Sequence, residues 1–194
     1  SLQAAPATDY LGSGIDLANR VAIFSKPGDA NPNKLVGRFI PDHFDMTGTI
    51  TPAHSSGFSY MGQPFGLSLT LLAKNAAGVT TANYASANNF AKLDPTSAVA
   101  WAAAPGTSPG FGLGAKQGSD LSGRIAVVSG TPAGTWIAGT ATITTNVIFS
   151  RPSTLSVVDG PYETLDIGVA PQDAEGVKLA PAALDLDVDG VGGN

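Results

Sequence analysis

The chain of 194 residues contains no cysteine. That absence excludes disulfide staples, thiol nucleophiles, thiolate zinc sites and iron–sulfur ligation together. Charge is scarce as well: Asp, Glu, Lys and Arg make up 13% of the chain, about half the share of an ordinary globular domain. The 10 basic residues are scattered against 15 acidic ones, for a net charge of −5. With no basic patch to neutralise phosphates, nucleic acid is excluded as a partner. No apolar run reaches the roughly 18 to 20 residues of a membrane-spanning helix, and the first residues show no basic stretch followed by an apolar one. If the protein is exported, its signal lies outside this chain. Amphipathic helical periodicity is missing too, which excludes a parallel α/β sheet, and no fixed-period repeat is visible.

What the chain has in quantity is turn-forming residue: 24 Gly and 14 Pro. A chain of this length buries about two-thirds to three-quarters of its unfolded surface, so a core needs no staples. The clearest pattern lies in Phe58–Leu93, where Leu67, Leu69, Leu71 and Ala73 alternate with Ser68, Thr70 and Lys74. A period of two buries one face of a strand and wets the other. Lys74-Asn75-Ala76-Ala77-Gly78 supplies a turn, and Thr80–Tyr84 reads as a returning strand. Ala141, Ile143, Thr145, Val147 and Phe149 form one face of a second long strand. Shorter strands are expected at Phe44–Ile50, Leu121–Val127 and Leu165–Val169, with Val99–Ala103 either a strand or a helical turn. Val21–Phe24 and Leu35–Ile40 read as two more strands, although Ile15–Phe24 also suits a short helix. The aromatics Phe58, Tyr60, Phe65, Tyr84, Phe90, Trp101, Trp136 and Phe149 are expected mainly in strands, as core. An exposed Trp101 or Tyr162 beside loops is instead how a sugar-stacking site would show itself.

Chemical motifs are few. Gly106-Thr107-Ser108-Pro109-Gly110 matches the G-x-S-x-G elbow in letters. The elbow needs a backbone N–H after the serine, and Pro109 has none, so this is a surface loop. Of the two histidines, His43 stands beside Asp42, which can pair with it or with Arg38, and His54 is expected in a solvated loop. Neither offers a Ser-His-Asp triad. The sharpest local signal is Asp185-Leu186-Asp187-Val188-Asp189-Gly190. Carboxylates at alternate positions followed by glycine match the first half of a calcium loop. Asp185, Asp187 and Asp189 are the metal candidates, with Ca2+ as the ion, and a solvated acidic tail is the plainer alternative. Asp173-Ala174-Glu175-Gly176 is a lesser echo, expected to be a turn.

The segments VGRFIPDHFDM (Val36–Met46), FSYMGQPFGLSLTLLAKNAAGVTTANYA (Phe58–Ala85) and FAKL (Phe90–Leu93) resemble a known bacterial family. FSRP (Phe149–Pro152), GPY (Gly160–Tyr162) and IGVAPQDAEGVKL (Ile167–Leu179) follow in the same order. Together they resemble the C-terminal domain of unknown function of MshQ-type proteins of the MSHA pilus biogenesis system. The resemblance implies an exported protein at the cell surface, associated with type IV pili, and it brings no catalytic residues.

These readings combine into an all-β expectation: an immunoglobulin-like antiparallel β-sandwich over residues 46–180, after an N-terminal extension or strand pair over 1–45. An acidic tail rich in Gly and Asp follows over 181–194. Two small sandwiches divided near Pro105–Gly110 are the alternative architecture. The expected function is a noncatalytic structural or adhesion module of a secreted, pilus-associated surface protein, with pilus or other surface proteins as partners. The alternative is a carbohydrate- or calcium-dependent binding module that takes glycans. Exposed aromatics gathered on one rim favour the glycan reader; a flat polar rim and an open sheet edge favour protein assembly.

Overall fold

In a computed structural model of the chain, the described residues are 40–152, 154 and 159–180. The strands expected at Val21–Phe24 and Leu35–Ile40 fall outside them apart from Ile40, and so does the acidic tail with Asp185, Asp187 and Asp189.

The leucine alternation forms the central strand. We number the strands β1 (His43–Thr51), β2 (Pro64–Lys74), β3 (Gly114–Gln117), β4 (Ser119–Asp120), β5 (Ile125–Val127), β6 (Ala133–Ile137), β7 (Thr140–Phe149) and β8 (Asp166–Gly168). Strand β2 pairs antiparallel with β1 on one side and with β7 on the other, in registers that place Thr47 opposite Thr70 and Leu69 opposite Ile143. The inward residues Leu67, Leu69, Leu71, Ala73, Ala141, Ile143 and Val147 are all buried. The two long apolar faces therefore meet as neighbours within one sheet. On the opposite face stand Thr47, Thr49, Ser68, Thr70, Thr142 and Thr144, a surface of β-branched and hydroxyl side chains that suits a strand and needs little charge. The far edge of β7 is shared: β6 takes its first half and β5 its second.

Strands β4, β3 and β8 form a smaller antiparallel sheet in that order. Its Ala115 and Ile167 join the same buried cluster as Leu69, Phe44 and Trp136. The protein is thus an all-β sandwich of two antiparallel sheets around one core. Residues before and after Pro105–Gly110 contribute to that core, so it is not divided at this loop.

Local chemistry explains where the elements differ from the sequence reading. The turn after Lys74 forms as expected, with Asn75 Oδ1 accepting from the N–H groups of Ala77 and Val79. Thr80–Tyr84 does not return as a strand, however, and makes one bridge, Lys74 to Thr80. Both edges of β2 are already occupied, so no ladder is left for it to join. Leu121–Val127 is half strand: Asp120 Oδ1 accepts from the Ser122 N–H at 2.8 Å, and the local bond closes a short 3-10 turn before β5 begins. Val99–Ala103 resolves as a short helix, α1 (Ala98–Ala102), with the Ser97 side chain accepting from the Ala100 N–H. Strand β6 forms where Thr131-Pro132-Ala133-Gly134 reads in sequence as a turn and Trp136-Ile137 as the lead-in to the next strand. It joins β7 through Ala138 and Gly139, both at positive φ (47° and 80°), the geometry of a tight hairpin. A Cβ on Gly139 would sit 2.6 Å from the Thr81 carbonyl oxygen, so this turn admits the passing chain only as glycine.

Candidate functional site

Three polar groupings stand out, and two of them close on themselves. At the start of β1, His43 Nδ1 lies 2.8 Å from Asp42 Oδ2 and Nε2 lies 3.6 Å from Asp45 Oδ1. The histidine is tied between two carboxylates at a strand junction, and Asp42 has found His43 as its partner. The second grouping is buried. Tyr84, 1% exposed, donates to Asp173 Oδ2 at 2.8 Å, and Asp173 is fully buried. Asp173 Oδ1 accepts from the N–H groups of Glu175 and Val177. The Asp173–Gly176 segment is thus a carboxylate-capped turn, as its sequence suggests. Burial, and next the Asp173 charge, push the Tyr84 hydroxyl far above the usual tyrosine range, so it remains a donor. The Ser108 hydroxyl donates to the Asp173 main-chain carbonyl. The serine of the elbow-like motif is therefore engaged in loop packing.

The third grouping opens onto solvent. At one end of the sandwich, Ile50 of β1, Phe65 of β2, Phe149 of β7 and Ile167 of β8 line a cleft of about 610 Å³, joined by Phe58, Tyr60, Arg151, Tyr162 and Glu163. Arg124 organises its wall. Its Nη1 and Nη2 donate to Asp159 Oδ1 and Oδ2 at 2.9 and 2.7 Å, a two-pronged match of fork to carboxylate. Its Nε donates to the Ser150 carbonyl at 2.9 Å, and Nη1 also donates to the Tyr162 hydroxyl, which in turn donates to Asp159 at 2.5 Å. The guanidinium carbon stands 4.4 Å from the Phe149 ring centroid and 5.0 Å from that of Tyr162. Hydrogen bonds from Arg124, then from Tyr162, hold the Asp159 carboxyl below the usual carboxylate range. The assembly locks Tyr162 against the end of β7.

Over this wall lies the segment between β1 and β2, and it is pinned along its length. His54 N–H donates to the Phe58 carbonyl, Gly57 N–H to His54, and Gly62 N–H to the Phe149 carbonyl at 2.7 Å. Ser59 Oγ accepts from the Ala53 N–H, and Gln63 Oε1 from the Tyr60 N–H. Its rings form a unit: His54 stacks on Phe58 at 4.7 Å, and Tyr60 stands nearly perpendicular to both. Tyr60 is 65% exposed and Phe58 42%.

Here the sequence expectation is corrected at several residues. Phe58 and Tyr60 lie outside the strands and face solvent, while Met61 of the same segment packs against the core. His54 is not a solvated loop residue: its ring is half-buried in the stack, and Nε2 has no hydrogen-bond partner among the described residues. Phe90, 40% exposed, also departs from the core reading. Trp101, the other ring considered for sugar stacking, is 3% exposed and stacked on Phe111 at 4.1 Å. Tyr162 is half-buried and does line the cleft.

A second cleft, of about 700 Å³, lies between α1 and β5, lined by Ala102, Ala103, Pro105, Gly123, Val127 and their neighbours. Small side chains dominate it, and it presents no exposed ring. Of the sequence-expected metal ligands, Asp185, Asp187 and Asp189 lie outside the described residues. Among the described residues no group of three or more His, Asp or Glu is arranged so that it could hold a metal ion, and no helix is long and apolar enough to cross a membrane.

The chain belongs to the family described as DUF6701, third domain, whose model matches residues 1–191. Neither the curated proteins nor the solved structures contain a match to the chain.

Proposed function

We propose that the chain is a noncatalytic adhesion and binding module of an exported bacterial surface protein of the MshQ, pilus-associated type, and that it meets its partner with the aromatic end of the sandwich. One observation carries this: two large rings, Phe58 and Tyr60, are held in solvent by a hydrogen-bonded segment above a cleft, at 42% and 65% exposure. Soluble proteins rarely group exposed rings without a use for them. A module that is already ordered loses less entropy on binding. An immunoglobulin-like sandwich, the finer form of the all-β fold, suits such a role because it carries loops at the ends of a rigid body. The resemblance to the MSHA system supports the surface setting, with pilus or neighbouring surface proteins and their glycans as the available partners.

The test is adhesion. Beads coated with the chain are expected to adhere to piliated bacterial cells, and beads carrying the Phe58→Ala, Tyr60→Ala double variant to lose most of that adhesion while the variant melts as the parent does. Running both in calcium and in chelator separates a contribution of the acidic tail. Absent adhesion, or equal adhesion by both forms, overturns the reading.

A further inference from the structure

We infer that the cleft beside Phe58 and Tyr60 takes a neutral pyranose residue of a surface saccharide. The inference rests on the binding reading above and adds the class of ligand. A pyranose ring is amphipathic: one face presents C–H groups and the rim presents hydroxyls. The cleft is divided in the same way. Ile50, Phe58, Tyr60, Phe65 and Phe149 supply apolar and aromatic surface, whereas Arg151 and Glu163 supply hydrogen-bonding groups of opposite sign.

Charge decides between sugar classes. Arg124, the cation packed on the Phe149 and Tyr162 rings of the wall, already has both prongs on Asp159, so its positive charge is neutralised before any ligand arrives. What remains is one exposed cation, Arg151, and one exposed anion, Glu163. That balance attracts neither an acidic nor a basic sugar in preference to a neutral one.

Shape decides against a peptide strand. An added strand needs a row of free main-chain groups along one edge. The lining here comes instead from the ends of four strands, β1, β2, β7 and β8, and from two connecting segments. Such a site is compact, and at about 610 Å³ it falls inside the roughly 300–1,000 Å³ range of small-ligand sites.

The experiment is a titration of the isotope-labelled full chain with methyl glycosides and short oligomers of glucose, galactose, mannose and N-acetylglucosamine. Sialyllactose serves as the acidic comparison, and a six-residue Thr/Val peptide as the strand comparison. At least one neutral saccharide is expected to bind with Kd on the order of 1 mM or tighter, moving the amide signals of Phe58–Gln63. Tyr60→Ala is expected to weaken it at least tenfold with unchanged melting, and Tyr60→Phe to keep it within about threefold, since the ring and not the hydroxyl is the platform. Silence from every neutral saccharide, binding of the acidic sugar or the peptide alone, or full affinity in Tyr60→Ala overturns the inference. A silent panel with intact, ring-dependent bead adhesion removes the saccharide and leaves the binding module; loss of both removes the module reading as well.

Discussion

Two hydrogen-bonded carboxylates, Asp173 and Asp159, do different work in the same molecule. Asp173 is fully buried, receives the Tyr84 hydroxyl and two main-chain N–H groups, and fastens residues far apart in sequence to the inside of the sandwich. Asp159 sits at the cleft wall, where it receives both prongs of Arg124 and the Tyr162 hydroxyl. One cluster is sealed and holds the fold together; the other is partly wet and holds a surface in place. Water access makes the difference. Removing a partner from the sealed cluster strands polar groups with no substitute, whereas solvent can replace a missing partner at the rim.

The comparison predicts a graded series. Asp173→Ala leaves the Tyr84 hydroxyl and two N–H groups without their acceptor, and is expected to cost about 3 kcal/mol or more. Urea unfolding at neutral pH measures it, and a loss below about 1 kcal/mol would mean that water reaches the cluster. Tyr84→Phe removes the bond to the Asp173 carboxylate and the one that the hydroxyl accepts from the Lys92 N–H at 3.2 Å, and should cost roughly 1.5–3 kcal/mol on the same assay. Arg124→Met keeps much of the side-chain bulk but removes the fork. It is expected to lower the melting temperature less than either change, while altering the signals of Tyr162 and of Met61, whose sulfur lies 3.4 Å from Arg124 Nη2. An Arg124 variant as damaging as Asp173→Ala would erase the distinction.

The pH arms sharpen it further. The Tyr84 pKa is raised on folding, so its stabilisation is complete below the unfolded value of about 10 and is lost as pH climbs beyond it toward the folded value. Replacing Tyr84 by Phe should make the alkaline decline in stability shallower. The Asp159 pKa is lowered on folding, so its contribution is present above about pH 4 and is lost as pH falls through the folded value. An Asp159→Asn chain should show a shallower acid decline. The smallest stability effect belongs to Tyr60→Ala, within about 0.5 kcal/mol, because the ring it removes is mostly in water. A larger loss would make Tyr60 a packing residue and remove its role as a platform.

Particular residues show how far the sequence reached. The Leu67–Ala73 and Ala141–Phe149 alternations mark β2 and β7 because a half-buried strand must repeat every two residues. Nothing comparable marks β3 or β6, which are short and whose places are set by the partners they pair with. Thr80–Tyr84 carries strand-like residues but finds no edge to join. At the candidate site, Tyr162 was legible as a possible sugar-facing ring. Arg124 was not, since its partners Asp159, Tyr162 and Ser150 lie tens of residues away and only folding brings them together. In sequence Phe58 and Tyr60 read as core, because a ring in a turn-rich segment looks like a ring in a strand.

By itself, the sequence determined the class of the protein: period-two apolar faces, abundant turn residues and scarce charge permit sheets and little else, and the absence of cysteine leaves the core to hold them. The tertiary structure alone decided which strand pairs with which, which carboxylate is sealed from water and which rings stay outside. Those outcomes depend on competition for a limited number of sheet edges and a limited buried volume, and that competition involves residues distant in the chain.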